Sequence, residues 1–239
     1  LREDIFDVLS LNDANKLRED CGALLHWSRS SLSELLLRRI NYFAGESGQP
    51  AVTDLESLFD RREMRQRTKP LNYLLKRTMM RPRDLIAIFG RTIEVMRNEA
   101  HDPFSEDAKK FEKLQVESIY AAESGYSDWL KQELIDEWGV QYPFIHKLLA
   151  ALQNNGSTNF APADMAHELE KLGESATPSE LASHLRFLFD NSAIGFKIGG
   201  SAEWRFKCFY PAQGFLDCDE YRVHEGLVRA LNLKEARER

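Results

Sequence analysis

Two arginines at the predicted start of a helix are the strongest candidates for chemistry in this sequence. Arg81 and Arg83 flank Pro82, a residue suited to the first helical position, and Asp84 follows. The unpaired backbone N–H groups and the positive end of the helix dipole favour an anion there, so the pattern indicates a phosphate site. The alternative is that both arginines pair with the acidic helices predicted after residue 99.

Charge is strongly segregated around these arginines, although the whole chain carries a net charge of only −6. Residues 61–83 contain nine Lys/Arg and one acid, whereas residues 99–138 contain eleven Asp/Glu and four Lys. The basic segment can contact nucleic-acid phosphates, or it can face the acidic segment or form a solvated helix surface. Its candidate phosphate-contacting residues are Arg61, Arg62, Arg65, Arg67 and Lys69.

No catalytic or metal-binding constellation is predicted. The six histidines fall on separate predicted elements, and the three cysteines show neither ligand-like spacing nor an even number. A reducing compartment is therefore expected. No apolar run approaches the roughly 18 residues of a membrane span, so the sequence predicts a cytoplasmic protein with no membrane partner.

Helical periodicity dominates the first 150 residues and predicts the elements that position these arginines. The spacing predicts helices over 31–43, 53–64, 105–122 and 127–138, together with one that opens at Pro82. Ser31 and Glu34 have the spacing of a capping box for the first of these helices. Leu32, Leu35, Leu36, Ile40 and Phe43 are predicted to share its buried face.

The sequence pattern changes after Gly139, where shorter predicted helices alternate with extended pieces. Helices are predicted over 143–152, 162–172, 177–191 and, last, 223–231, and an extended piece is predicted at 158–160. Residues 194–198 and 204–210 are predicted to form a β-hairpin around the turn Gly199-Gly200-Ser201. This order is typical of a winged helix-turn-helix, with 177–191 in the recognition-helix position. The basic residues available to contact nucleic acid are Arg186 on that helix and Lys197, Arg205 and Lys207 on the wing.

Duplex binding by this region is nevertheless weakly supported. Residues 139–239 carry eleven basic and thirteen acidic groups, so a packing or protein-interaction role is favoured over DNA recognition.

Residues 78–86 resemble the sensor-2 region of bacterial P-loop ATPases of the AAA+/STAND kind, where a Pro-Arg pair begins a lid helix. Residues 1–5 resemble the end of the sensor-1 strand, and Trp27, Leu32 and Arg39-Ile40 resemble the segment that follows it. Residues 126–130 and Asp136-Glu137 are similar to the linker before the winged helix in one such family, whose relatives are linked to antiviral defence. The resemblance implies that Arg83, helped by Arg81, senses the γ-phosphate of a bound nucleotide.

No Walker A motif is present, since the glycines from 195 to 200 lack the lysine that reaches the β- and γ-phosphates. The chain also begins with Leu1 rather than Met. It is therefore predicted to be part of a longer ATPase that binds ATP with magnesium, while this chain alone holds no cofactor. The expected partners are an upstream ATPase core and a second copy of the protein, and nucleic acid is a less favoured partner.

The predicted fold is mainly α: a helical lid bundle over 1–104, a helical connector over 105–139 and a winged-helix domain over 140–232 with a small β-hairpin. The predicted function is nucleotide sensing by the lid and relay to the winged helix. The alternative is a nucleic-acid-binding winged-helix module.

Overall fold

The first described helix, α1 (Arg29–Glu46), begins at a serine cap. The computed structural model describes residue 16 and residues 26–65, 67–101, 111–199 and 203–234, and elements are numbered among these. The predicted helix is confirmed, but its cap is Ser28, whose hydroxyl accepts a hydrogen bond from the N–H of Ser31. Leu32 and Leu36 face the core, whereas Phe43 is 55% exposed, which contradicts its predicted place on the buried face.

The predicted helix over 53–64 is wrong, because only a short 3-10 helix forms at Leu55–Leu58. Leu114 then pairs with the chain on both sides of Phe59: its N–H donates to Leu58 O at 2.7 Å, and its carbonyl accepts from Asp60 N at 2.9 Å. This tertiary pairing holds the chain extended where local periodicity favours a helix. A buried helix that was not predicted, α2 (Pro70–Lys76), follows.

A long antiparallel pair of helices forms the centre of the helical part. The first, α3 (Pro82–Ala100), begins at Pro82 as predicted. The second, α4 (Val116–Trp138), is one continuous helix rather than the two predicted over 105–122 and 127–138. It runs without a break through Gly125, where an added Cβ would make only ordinary contact with the Arg91 guanidinium at 3.7 Å.

The C-terminal part has the element order of a winged helix-turn-helix. Its bounds are α5 (Ile145–Asn155), β1 (Asn159–Phe160), α6 (Pro162–Lys171), α7 (Pro178–Asp190), β2 (Ile194–Phe196), β3 (Arg205–Phe206) and β4 (Tyr221–Val223). The cap at Thr177 is confirmed, since its side chain accepts from the N–H of Glu180 at 3.3 Å.

The predicted hairpin is part of a four-stranded antiparallel sheet with the order β1-β4-β2-β3. Gly195 pairs with Phe206 on one side and with Arg222 on the other, so β2 is an inner strand. The predicted turn residues Gly200 and Ser201 lie outside the described residues.

The predicted last helix over 223–231 is wrong. Val223 belongs to β4, and a 3-10 turn at Glu225–Leu227 follows it. Pairing of β4 with two neighbouring strands takes these residues out of the helical pattern.

A continuous cluster of buried apolar side chains runs through both parts of the protein. Leu32, Leu85 and Leu130 of the helical part belong to the same cluster as Leu188 and Leu227 of the C-terminal part. The domain boundaries at 104, 139 and 232 stay a prediction.

Candidate functional site

Arg83 lies at the N-terminal turn of α3 and is 46% exposed. Its Nη1 lies 2.8 Å from Glu133 Oε2 and its Nη2 lies 3.5 Å from Glu137 Oε2, and both carboxylates belong to α4. The guanidinium is therefore ion-paired to the acidic helix, as the alternative interpretation of the sequence expects. Its assignment as a phosphate sensor stays a prediction.

Arg81 is bound more tightly within the same cluster. Its Nε contacts both oxygens of Asp84, at 3.1 and 3.0 Å, and its Nη1 lies 3.1 Å from Glu137 Oε2. Asp84 is fully buried and also accepts from the N–H of Met79 at 3.0 Å. Burial raises the pKa of Asp84, although the Arg81 guanidinium opposes this.

The charges of this cluster determine how readily it could bind an anion. Two guanidiniums face three carboxylates, those of Asp84, Glu133 and Glu137. A phosphate at Arg83 would have to compete with the two carboxylates of α4. The cluster thus anchors the start of α3 to α4 in this conformation.

The second site is a buried ion pair between α2 and α4. Arg77 is 4% exposed, and its Nε lies 2.6 Å from Glu123 Oε1. The Tyr73 hydroxyl donates to the other oxygen of Glu123 at 2.9 Å, and the Arg77 guanidinium lies 3.4 Å from the centre of the Tyr73 ring. Burial lowers the pKa of Arg77, but Glu123, Tyr73 and Glu225 together more than compensate, and the net shift is upward.

The same arginine reaches the C-terminal part of the protein. Its Nη1 lies 3.4 Å from Glu225 Oε2, and its backbone carbonyl accepts from the Tyr126 hydroxyl at 3.1 Å. Beside it, the Ser127 hydroxyl donates to Gly226 O at 2.6 Å and accepts from Ala230 N at 2.9 Å. The 3-10 turn after β4 is therefore held against α2 and α4 by buried polar contacts, and this region is called the junction below.

Gly226 allows the close approach at the junction. A Cβ at this position would lie 2.3 Å from Arg77 O and 2.6 Å from Leu130 Cδ2. Sequence reasoning missed the junction because its contacts join residues that are 46 to 148 positions apart, and no local pattern marks such a contact.

The junction also contains a cysteine–histidine pair that the sequence analysis did not identify. Cys208 Sγ lies 3.8 Å from His224 Nε2, and His224 Nδ1 accepts from Gly226 N at 3.1 Å. Burial lowers the pKa of His224 to about 3 and raises the pKa of Cys208 to about 12. A neutral imidazole beside a protonated thiol is poorly suited to nucleophilic catalysis, so the pair serves packing.

The predicted basic segment is divided by its folding. Arg61 and Arg65 both pair with Glu117 of α4, at 3.1 and 2.9 Å, and Arg65 also lies over the Tyr120 ring. The side chains of Arg62, Arg67 and Lys69 are exposed and form no ion pair with other described residues. Three cations thus remain available to a partner at this surface.

The predicted nucleic-acid contacts of the winged helix are mostly engaged within the chain. Lys197 lies 4.6 Å from the centre of the Trp204 ring, and Arg205 and Lys207 both donate to Gln213. Arg186 is exposed on α7 and lies 5.5 Å from the centre of the Phe215 ring. Of the four predicted cations, only Arg186 is fully at the surface.

In the part of the chain that the structure describes, no helix combines the length and apolar character needed to cross a bilayer. Within those same ranges, no group of three or more His, Cys, Asp or Glu side chains is arranged to hold a metal ion. The predicted similarity of residues 1–5 to a sensor-1 strand lies outside the described residues.

Comparison with known proteins points to the helical part. No curated protein and no solved structure matches the chain significantly. Residues 30–135, which span α1 to most of α4, match the family model of the FunZ-associated C-terminal helical domain.

Proposed function

We propose that this chain is the C-terminal regulatory portion of a P-loop NTPase and that it passes conformational changes of the NTPase core to the winged helix. The resemblance of residues 78–86 to a sensor-2 region supports the NTPase assignment. The match of residues 30–135 to a helical domain described as C-terminal supports the place of this chain in a C-terminal portion. The observation that carries the relay is the buried junction between Arg77, Glu123 and Gly226.

The relay depends on a short stretch of chain with contacts at both ends. Arg77 faces the C-terminal turn, and Arg83, six residues later, faces α4. Between them Met80 has a φ of 54°, a left-handed conformation that is uncommon for methionine, and its N–H donates to Thr78 Oγ1. Because this stretch is buried and hydrogen-bonded, a displacement of the start of α3 would be transmitted to Arg77 and Gly226.

Two sets of variants distinguish a phosphate-sensing role of Arg83 from a purely structural role in which it pairs with the carboxylates of α4. In the complete NTPase, Arg83→Ala removes both the anchor and any phosphate contact, whereas Glu133→Gln with Glu137→Gln removes only the anchor. If Arg83 senses the terminal phosphate, ATP turnover falls in the first variant and not in the second. Equal turnover in both variants and the unmodified protein would remove the sensing role.

The relay itself is tested by hydrogen exchange in the complete NTPase with and without nucleotide. We expect nucleotide to change the protection of residues 221–233, and we expect Glu123→Gln to abolish that change while ATP turnover persists. Gln keeps the shape of the glutamate but removes the charge that pairs with Arg77. Protection that does not respond to nucleotide in the unmodified protein would refute the relay.

The alternative function, a nucleic-acid-binding module, is favoured by one observation, the exposed cations Arg62, Arg67 and Lys69. Binding through them would weaken steeply with salt and would be lost when Arg62, Arg67 and Lys69 are all replaced by Glu. We expect no such salt-dependent binding, because Glu117 already pairs with Arg61 and Arg65 and leaves only these three cations of the five predicted ones. A fluorescence-anisotropy titration with duplex and single-stranded oligonucleotides measures this.

A further inference from the structure

A cavity of about 330 Å³ opens where the helical part meets the wing. It lies beside the start of α1, the end of α2, the segment around β3, and β4. Its lining combines aromatic rings with cations and two acids: Arg29, Lys76, Glu203, Trp204, Phe206, Phe209, Tyr210, Arg222 and Glu225. It shares none of its lining residues with the Arg81–Arg83 cluster.

The charges of the cavity favour an anion. Three cations, Arg29, Lys76 and Arg222, line it against two acids. Both acids are already engaged, since Glu203 accepts a hydrogen bond from the Tyr210 hydroxyl and Glu225 lies 3.4 Å from Arg77 Nη1. Within the described ranges, neither Lys76 nor Arg29 has a carboxylate at ion-pairing distance.

The rings of the cavity provide flat apolar surfaces beside these cations. The Arg29 guanidinium lies 5.8 Å from the centre of the Phe209 ring, and the Arg222 guanidinium lies 5.6 Å from that of Trp204.

We propose that this cavity binds a free mononucleotide, with the base against the aromatic rings and the phosphate at Arg29 and Lys76. Aromatic side chains stack on any base, and guanidinium and ammonium groups are the common ligands of phosphate. The volume lies at the lower end of the roughly 300–1,000 Å³ typical of ligand pockets, which suits one nucleotide and excludes a longer strand. This site goes beyond the proposed function, because it needs no NTPase core.

The test is a titration of the 239-residue chain with AMP, followed by calorimetry and by tryptophan fluorescence. We expect saturable binding of AMP that is tighter than that of adenosine or inorganic phosphate alone. Lys76→Glu should weaken binding by about tenfold or more, because it reverses a charge at the phosphate position. Trp204→Phe should remove most of the fluorescence response.

Lys69→Glu is the matched control, since Lys69 is exposed at the other end of α2 and undergoes the same change of charge. Its AMP affinity should equal that of the unmodified chain, and circular dichroism should show that both variants are folded. The proposal is overturned if AMP shows no saturable binding, if the two lysine variants lose affinity equally, or if phosphate alone binds as tightly as AMP. Binding of a 5′-phosphorylated oligonucleotide without binding of AMP would also overturn it.

Discussion

Replacing Gly226 by alanine tests whether the junction holds the two parts of the protein together. The new Cβ would lie 2.3 Å from the Arg77 carbonyl oxygen, 2.6 Å from Leu130 Cδ2 and 3.2 Å from His224 Nδ1. The carbonyl belongs to the backbone and Leu130 is fully buried, so neither can move aside cheaply.

The expected cost follows from these contacts. Overpacking of a close-packed interior costs about 1–3 kcal/mol. Displacement of the turn also weakens the hydrogen bond from Ser127 Oγ to Gly226 O, which contributes about 1 kcal/mol. A total of about 3 kcal/mol corresponds to a fall in Tm of roughly 6–12 °C for a chain of this size.

Thermal and urea unfolding of the 239-residue chain measure the effect, with Gly90→Ala as the control. An added Cβ at Gly90 has no atom within 4 Å, and the residue is exposed inside α3, so alanine should stabilise the protein by about 0.5–1 kcal/mol. If Gly226→Ala is as stable as the unmodified chain, the Gly226 backbone does not lie against Arg77 and Leu130, and the proposed relay through this contact is refuted.

Three further predictions concern charge. Burial lowers the pKa of His224 to about 3 from 6.5, so between these pH values only the unfolded state takes up a proton at this histidine. The free energy of unfolding should therefore be fully retained above pH 6.5 and should fall by up to about 1.4 kcal/mol per pH unit below it. His224→Gln should remove this pH dependence when unfolding by urea is measured across the range. Arg77→Met should destabilise the chain by about 3–5 kcal/mol because it leaves Glu123 buried without its partner. Adding Glu123→Leu should restore part of this loss. A double variant whose loss of stability equals the sum of the two single losses would contradict this pairing. Arg83→Ala should cost at most about 1 kcal/mol, since Arg83 is 46% exposed, and a larger loss in the same unfolding assay would indicate that the cluster is a structural core.

The parts of the fold that follow from local pattern were predictable, and the parts set by distant contacts were not. Periodicity and caps predict α1, α3 and α7 because each helix carries its own start signal and apolar face. The missed helix α2 lies within a basic segment whose charge hides the burial of Leu74 and Leu75. Pairing with distant strands overrides the helical pattern after residue 223.

The candidate sites also include residues that a local pattern marks and residues that only the fold brings together. Arg81 and Arg83 were identifiable from a proline and a local charge pattern, but their partners on α4 were named only as an acidic segment. Glu123 and Gly226 carry no local signal, because what matters at each is the residue brought against it by the fold. Sequence reasoning therefore found one end of the proposed relay and missed the other.

The strand order of the sheet has a consequence for synthesis. β4 is the last of the four described strands in the order of the chain, yet it lies between β1 and β2 and is the neighbour of both. Until residues 221–223 have left the ribosome, β1 has no strand to pair with and β2 presents an open edge, so a nascent chain halted before this point would be prone to aggregation. Completion of the sheet and docking of the turn that follows it should therefore occur together, once residues 221–227 have left the ribosome.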